Sequence, residues 1–309
     1  MTQPEHVQTS YADRKLGLLP KHTDETAHPR LKLAEFLTPG YTVPPVVDYA
    51  AQVTSWPVAR NDVLGDCTAA DACHGIQVWS TYGQGATVTP SDADVVAFYS
   101  GSTGYNPADP STDRGGNMQD VCNYFLKTGM AGHTIAAFFS VDPAQPDHLR
   151  AALWLFGGVS AGFPFPSSAM AQFDAGQPWD VVDGATIEGG HDVLLVGMTA
   201  GGNYRVVTWG KVQEVTPAFW AKYMADPTSG EAWARVSLEW VRNNGTPEGL
   251  SADAVNAAFQ QLTGRPGPFP APVQAPPPPQ PAPVPHPAHD PADVRLAHEM
   301  YVWRTKKGI

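Results

Sequence analysis

Asn61–Gly75 reads NDVLGDCTAADACHG. The Gly65-Asp66 turn followed by a run of helix-compatible residues places a helix over Cys67–Tyr82, with Asp66 as its N-cap. Ala69, Ala72, Cys73, Ile76 and Trp79 recur at helical spacing and form its expected buried stripe. Cys67 therefore stands at a helix N-terminus, where the dipole and free N–H groups lower a thiol pKa. A thiolate nucleophile also needs an imidazole to hold it and to protonate the leaving group. It needs donors for the oxyanion as well. Asn61, six residues upstream, offers a side-chain amide beside the Cys67 backbone N–H.

The candidate imidazole is His191, in IEGGHDVLLVGM (Ile187–Met198). Gly189 and Gly190 allow a close backbone approach, and the histidine opens a buried strand. His74 lies two turns down the cysteine's own helix, too far to touch Cys67. His133 follows a loop glycine, and His286, His289 and His298 lie near the C-terminal end. Taken singly, each candidate has a plain structural reading: a small buried thiol, a strand histidine, a turn asparagine, a core tryptophan. Their order and spacing set them together.

Working outward, MQDVCNYFLKTGM reads as a helix ending at Gly129, and HLRAALWLFG as another. The pattern then turns to strands: VSAGF, HDVLLVGM, YRVVTWGKVQEV and AWARVSLEW. TPAFWAKYM is a short helix capped by Thr216, and SADAVNAAFQQLTG an amphipathic one closed by Gly264. Helices followed by antiparallel strands give an α+β fold with segregated layers. Residues 1–43 form an arm too poor in apolar groups for its own core. Residues 44–264 are the globular domain. Of 31 prolines, 13 fall between Pro266 and Pro291, so residues 265–291 are a semi-rigid linker. Residues 292–309 form a terminal amphipathic helix, which either docks on its own domain or carries it to a protein partner.

Composition excludes several classes. The 309 residues carry 19 Lys+Arg against 30 Asp+Glu, a net charge of −11. Without basic runs there is no surface to release counterions from a nucleic acid, and anionic membranes are disfavoured too. No apolar stretch is long enough to span a bilayer, and MTQPEHVQTSYADRK has no secretory h-region, so the cytoplasm is the expected location. Cys67, Cys73 and Cys122 match neither a disulfide framework nor zinc-ligand spacing. Asp92, Asp94, Asp109 and Asp113, placed in a Pro/Gly/Ser-rich loop, lack the EF-hand spacing; that loop (Ser102–Gly116) overhangs the expected cleft. GQGATV follows a helix rather than a strand and is no dinucleotide turn. No metal and no cofactor is expected.

These residues resemble papain-like cysteine peptidases from Pro44 to about Trp240. PPVVDY (Pro44–Tyr49) is similar to the Pro–x–x–x–Asp–Trp opening of the mature family. NDVLGDCTAADACHG is similar to its Gln–x–x–x–Gly–x–Cys helix start, and GGHDVLLVGM to its Gly–x–His–Ala–Val–x–x–Val–Gly–Tyr. Thr208–Gly210 (TWG) matches the Ser–Trp–Gly after the family's asparagine. The combination resembles most closely papain-like proteins of bacteria and their phages, which would admit a virion location.

The resemblance implies a helical half carrying Cys67 and a β half carrying His191. Asn61 would bind the oxyanion, and Trp209 would shield the pair. Gly65, Asp66, Gly190 and Trp209 are the implied substrate-binding positions, and the substrate is a peptide or amide. Four departures stand out. Asn61 replaces glutamine, Thr68 replaces the tryptophan after the nucleophile, and Asp192 replaces a small residue. Val207, which cannot hydrogen-bond, replaces the asparagine that orients the histidine; Thr208 or Asn203 would stand in, or a Cys–His dyad would act alone. The long tether and Val207 motivate a second reading: a catalytically silent papain-like scaffold used for attachment.

Overall fold

The computed structural model describes residues 14–28, 30, 32–35 and 43–242. The linker, the terminal helix and the helix expected over 251–264 lie outside them. The chain begins its body with the short strand β1 (Val47–Asp48). Three helices follow: α1 (Cys67–Gln84), α2 (Asp92–Thr103) and α3 (Met118–Lys127). Next come β2 (Ile135–Val141), α4 (Pro146–Phe156), β3 (Val159–Pro166), α5 (Ser167–Asp174) and β4 (Ile187–Met198). The chain closes with β5 (Tyr204–Thr208), β6 (Lys211–Val215), α6 (Pro217–Phe219, continued by a wider turn to Met224), β7 (Glu231–Ser237) and α7 (Leu238–Arg242). The strands form one antiparallel sheet in the order β2-β7-β3-β4-β5-β6, with β1 also paired to β4. The α+β expectation holds.

Several local readings are corrected. α1 begins at Cys67, but every residue from Cys67 to Thr81 is buried, not one stripe. The helix is rich in small residues and is enclosed by β4, β5, α2, α3 and α7. Asp66 makes no side-chain cap bond. Asp92 and Asp94 sit in the first turn of α2, not in a loop; Ser91 and Asp94 form a reciprocal capping box. YRVVTWGKVQEV is two strands, because Trp209 and Gly210 turn the chain between them (φ 43° and 77°). AWARVSLEW is a strand only to Ser237, where α7 begins. β2 and α5 were not legible in the sequence.

Helix α4 shows how the core joins the layers. Its last carbonyls have no intrahelical partner. Tyr49 Oη donates to Trp154 O (2.6 Å), Trp240 Nε1 to Leu155 O (2.9 Å) and Trp79 Nε1 to Phe156 O (2.8 Å). Three aromatic donors, from the residue after β1, from α7 and from α1, thus satisfy one helix end. Beneath α1, Arg235 Nη1 meets Asp71 Oδ2 at 2.8 Å with both side chains almost wholly buried, and Ser160 Oγ donates to the same oxygen at 2.8 Å. Removing one member leaves an uncompensated buried charge. Arg235→Met is expected to lower unfolding free energy by about 3–5 kcal/mol in urea titration. A smaller loss in Asp71→Leu/Arg235→Met than in the single variant would identify the unpaired carboxylate as the cause.

Candidate active site

Cys67 opens α1 and His191 lies on β4, against which α1 packs. Both are buried, at 1% and 0% exposure. The backbone N–H of Asp192, the residue after His191, acts to favour the Cys67 thiolate, so helix start and strand come together near the thiol. The N–H of Gly17 in the arm acts in the same sense. Burial holds the thiol above its ordinary range, with the Asp192 and Asp66 carboxyls adding to it; the two N–H groups pull the other way but do not win. The lowered thiol pKa expected at a helix start is therefore not seen: low dielectric outweighs the helix dipole while the site is covered.

His191 is fixed from three sides. Its Nε2 lies 2.7 Å from Thr208 Oγ1 on the neighbouring strand. Its ring stacks on Trp209 at 4.3 Å between centroids and 13° between planes. The edges of Phe163 and Phe165 complete the cage. The stack depends on the β5–β6 turn, whose two central residues both take positive φ as a tight hairpin requires. A tryptophan there costs about 1–2 kcal/mol, and in return its ring lies over the imidazole. Burial pushes the imidazole down to about 3, so it is neutral at physiological pH. Its Nδ1 has no hydrogen-bond partner. Thr208 holds the position next to Val207, which faces the core at 1% exposure. Asn203 bonds Glu214 instead and does not serve the histidine.

Asn61 is buried before α1. Its amide nitrogen donates to Leu64 O at 3.1 Å and to Lys15 O at 3.3 Å. Asp66 is buried with neither carboxyl oxygen bonded, and burial raises its pKa well above the usual carboxylate range. Gly65 N–H donates to both oxygens of Asp113 at 3.1 Å, and Tyr99 Oη donates to Asp113 Oδ1 at 2.7 Å. Asp113 thus braces the turn ahead of the cysteine. Sequence reasoning placed its loop over the cleft but assigned it no role, since nothing in its spacing marks a brace. Cys73 and Cys122 are buried and free; His74 bonds Pro57 O and stays away from Cys67.

The arm lies across this site. Lys15 N donates to Asn61 O (3.1 Å), Leu18 N to Gly190 O (3.0 Å), and Leu19 N to Gly116 O (3.0 Å); Gly116 N donates to Gly17 O (2.8 Å). Leu18 and Gly116 pair in parallel. Glycines make the slot. A Cβ on Gly190 would lie 2.4 Å from Leu18 O, and one on Gly115 2.0 Å from Gly17 O. The Leu18 side chain packs on Met118, Cys122 and Trp233 and reaches Gly162. Upstream, Arg14 pairs with Asp174 and lies over the rings of Phe173 and Trp209. Gly65, Asp66, Gly190 and Trp209 thus all border the thiol, the imidazole or the slot. Gly115 and Gly116 were missed, because their role exists only once the arm is in place.

Among the described residues no helix is long and apolar enough to cross a membrane. Their three-ligand metal-type cluster is His22, His28 and Asp120. No protein-family model and no curated protein sequence matches the chain. Solved structures do. Xylellain, a cysteine protease from Xylella fastidiosa, superposes with a TM-score of 0.55 at 17% identity, over 72% of this chain and 96% of its own. Digestive procathepsin L 3 and procathepsin L2 from the larval midgut of Tenebrio molitor both reach 0.51. Their identities are 12% and 14%; each covers 73% of this chain, with 77% and 79% of their own. The chain has the papain-like α+β fold.

Proposed function

We propose that the chain is a papain-like cysteine hydrolase of the peptidase or amidase type, with Cys67 as nucleophile and His191 as its acid and base, held at rest by residues 15–19. The observation that carries this reading is the convergence on one thiol. The backbone N–H groups of Asp192 and Gly17 favour the Cys67 thiolate, and the imidazole of the residue before Asp192 is bound at Nε2 by Thr208, leaving Nδ1 without a hydrogen-bond partner. In the resting state burial keeps the proton on sulfur and the imidazole neutral. When the arm leaves, water and substrate reach the pair and this penalty falls.

The sulfur then gives its proton to His191 and attacks the acyl carbonyl. The Cys67 backbone N–H and an Asn61 amide N–H hold the oxyanion; the Asn61 bond to Lys15 O is lost with the arm, which releases that donor. His191 returns the proton to the departing amine, leaving a thioester. It next takes a proton from water, whose oxygen attacks the thioester and frees the thiolate. Thr208 is a positioning residue: it accepts from Nε2–H while the ring is charged. Trp209 keeps solvent off the pair.

The backbone groups of Gly116 and Gly190 that the arm engages suit an extended peptide, and the seat of Leu18 suits an apolar side chain beside them. The test is hydrolysis of a fluorogenic peptide amide containing leucine by protein with the arm displaced. Thr208→Ala is expected to lower kcat by roughly 10–100-fold with little change in KM, and Thr208→Ser to recover most of it. Equal rates in both variants would remove Thr208 from the mechanism. No turnover of any peptide amide, with Cys67 unreactive, would leave the silent scaffold.

A further inference from the structure

A second cluster lies farther along the arm. Asp24 Oδ1 accepts the N–H groups of Thr26 (2.9 Å) and Ala27 (3.2 Å), and Asp24 O accepts the N–H of His28 (2.9 Å). This tight reversal returns His28 onto His22. The two imidazoles stack with centroids 3.5 Å apart and planes 7° apart. His22 Nε2 is 3.0 Å from Oδ2 of Asp120, which projects from the first turn of α3. One donor atom from each of the three residues lies within 4.8 Å of the others. The backbone on both sides is pinned to α3 and its cap: Asn117 Nδ2 donates to Pro20 O (2.8 Å) and Gln119 Nε2 to His28 O (3.4 Å).

We propose that His22, His28 and Asp120 bind one divalent transition-metal ion of zinc's class. Two imidazole nitrogens and a carboxylate oxygen are borderline donors that suit such an ion, with a fourth position left for water. Tetrahedral bonds of about 2.0–2.2 Å need donors roughly 3.3 Å apart. The His22 and Asp120 side chains are 25% and 47% exposed, so rotation about their side-chain bonds can close the triangle. Sequence alone hides the site, since Asp120 is far from the histidines in the chain and only the reversal at Asp24 makes the two rings neighbours.

Such an ion joins the arm to α3 just beyond Pro20, next to the segment seated over Cys67. It therefore fastens Gly17–Leu19 in the slot. The metal site stands on its own residues; only its effect on catalysis rests on the hydrolase reading.

The experiment titrates the full chain with zinc chloride in competition with a chromogenic chelator. Wild type is expected to bind one equivalent more than His22→Gln/His28→Gln, and Asp120→Asn to weaken that equivalent by about tenfold or more. Histidines and cysteines elsewhere are common to all three proteins and cancel. Zinc at a hundredfold excess over Kd is expected to raise Tm by roughly 5 °C in wild type alone. It is also expected to slow amide exchange at Gly17–Leu19 about tenfold or more. Equal stoichiometry and affinity in wild type and the double variant would overturn the site. Loss of the equivalent without any change in exchange at Gly17–Leu19 would overturn the fastening of the arm. Neither readout uses hydrolysis, so failure here and failure of the hydrolase reading are separate results.

Discussion

Gly17→Val in the full chain is expected to raise the rate of Cys67 alkylation by iodoacetamide at neutral pH by roughly 100-fold or more. In the wild type a Cβ on Gly17 would lie 1.8 Å from Gly65 O, a backbone atom that cannot step aside, so the variant cannot seat its arm. Cys67 then loses the covering that burial imposes, and its pKa falls toward the range of a solvated helix-start thiol. The sign with pH follows. In the wild type the thiolate appears only as pH climbs through the raised pKa, so alkylation keeps rising across the alkaline range. In the variant it levels off at lower pH. Leu18→Asp offers an independent route, since it puts a charge against Met118, Cys122 and Trp233. Mass-spectrometric mapping of the adduct checks both. An unchanged Cys67 rate in both variants, with folding intact by circular dichroism, would mean that residues 15–19 do not control the site.

Cys67→Ala in the Gly17→Val background is expected to abolish both peptide-amide hydrolysis and labelling by an epoxide probe. The loss should be total rather than partial. Without the sulfur no thioester can form, and the unactivated amide must then be attacked directly by water with no covalent intermediate to divide the barrier. Cys73 and Cys122 give a built-in control. Both are buried thiols whose pKa burial raises, so neither should take the probe in place of Cys67. Labelling that persists on either of them in the alanine variant would refute the nucleophile assignment.

Much of the candidate site was legible because it depends on short local spacings. Asn61, Gly65, Asp66 and Cys67 fall within one turn and one helix start, and Gly190 and His191 open one strand. Thr208 and Trp209 occupy one hairpin. The hairpin itself was read as a continuous strand, because tryptophan is a strand former and its positive φ is imposed by the turn and tolerated for the stack on His191. Strand β2 was hidden for a different reason. Its run IAAFFSV alternates buried and half-buried along β7, yet Phe138 on the half-buried face packs beside Trp233, which blurs the apolar–polar alternation.

From sequence alone came the α+β class, the helix start at Cys67, the strand at His191 and the acidic composition, since each rests on local periodicity, composition or fixed spacing. Tertiary structure decided which hydroxyl serves His191, that the arm lies over the thiol, and in which direction burial moves both pKa values. These outcomes depend on groups distant in the chain meeting in a medium of low dielectric. No local pattern encodes that meeting; only the packing of α1 and the arm against β4 brings it about.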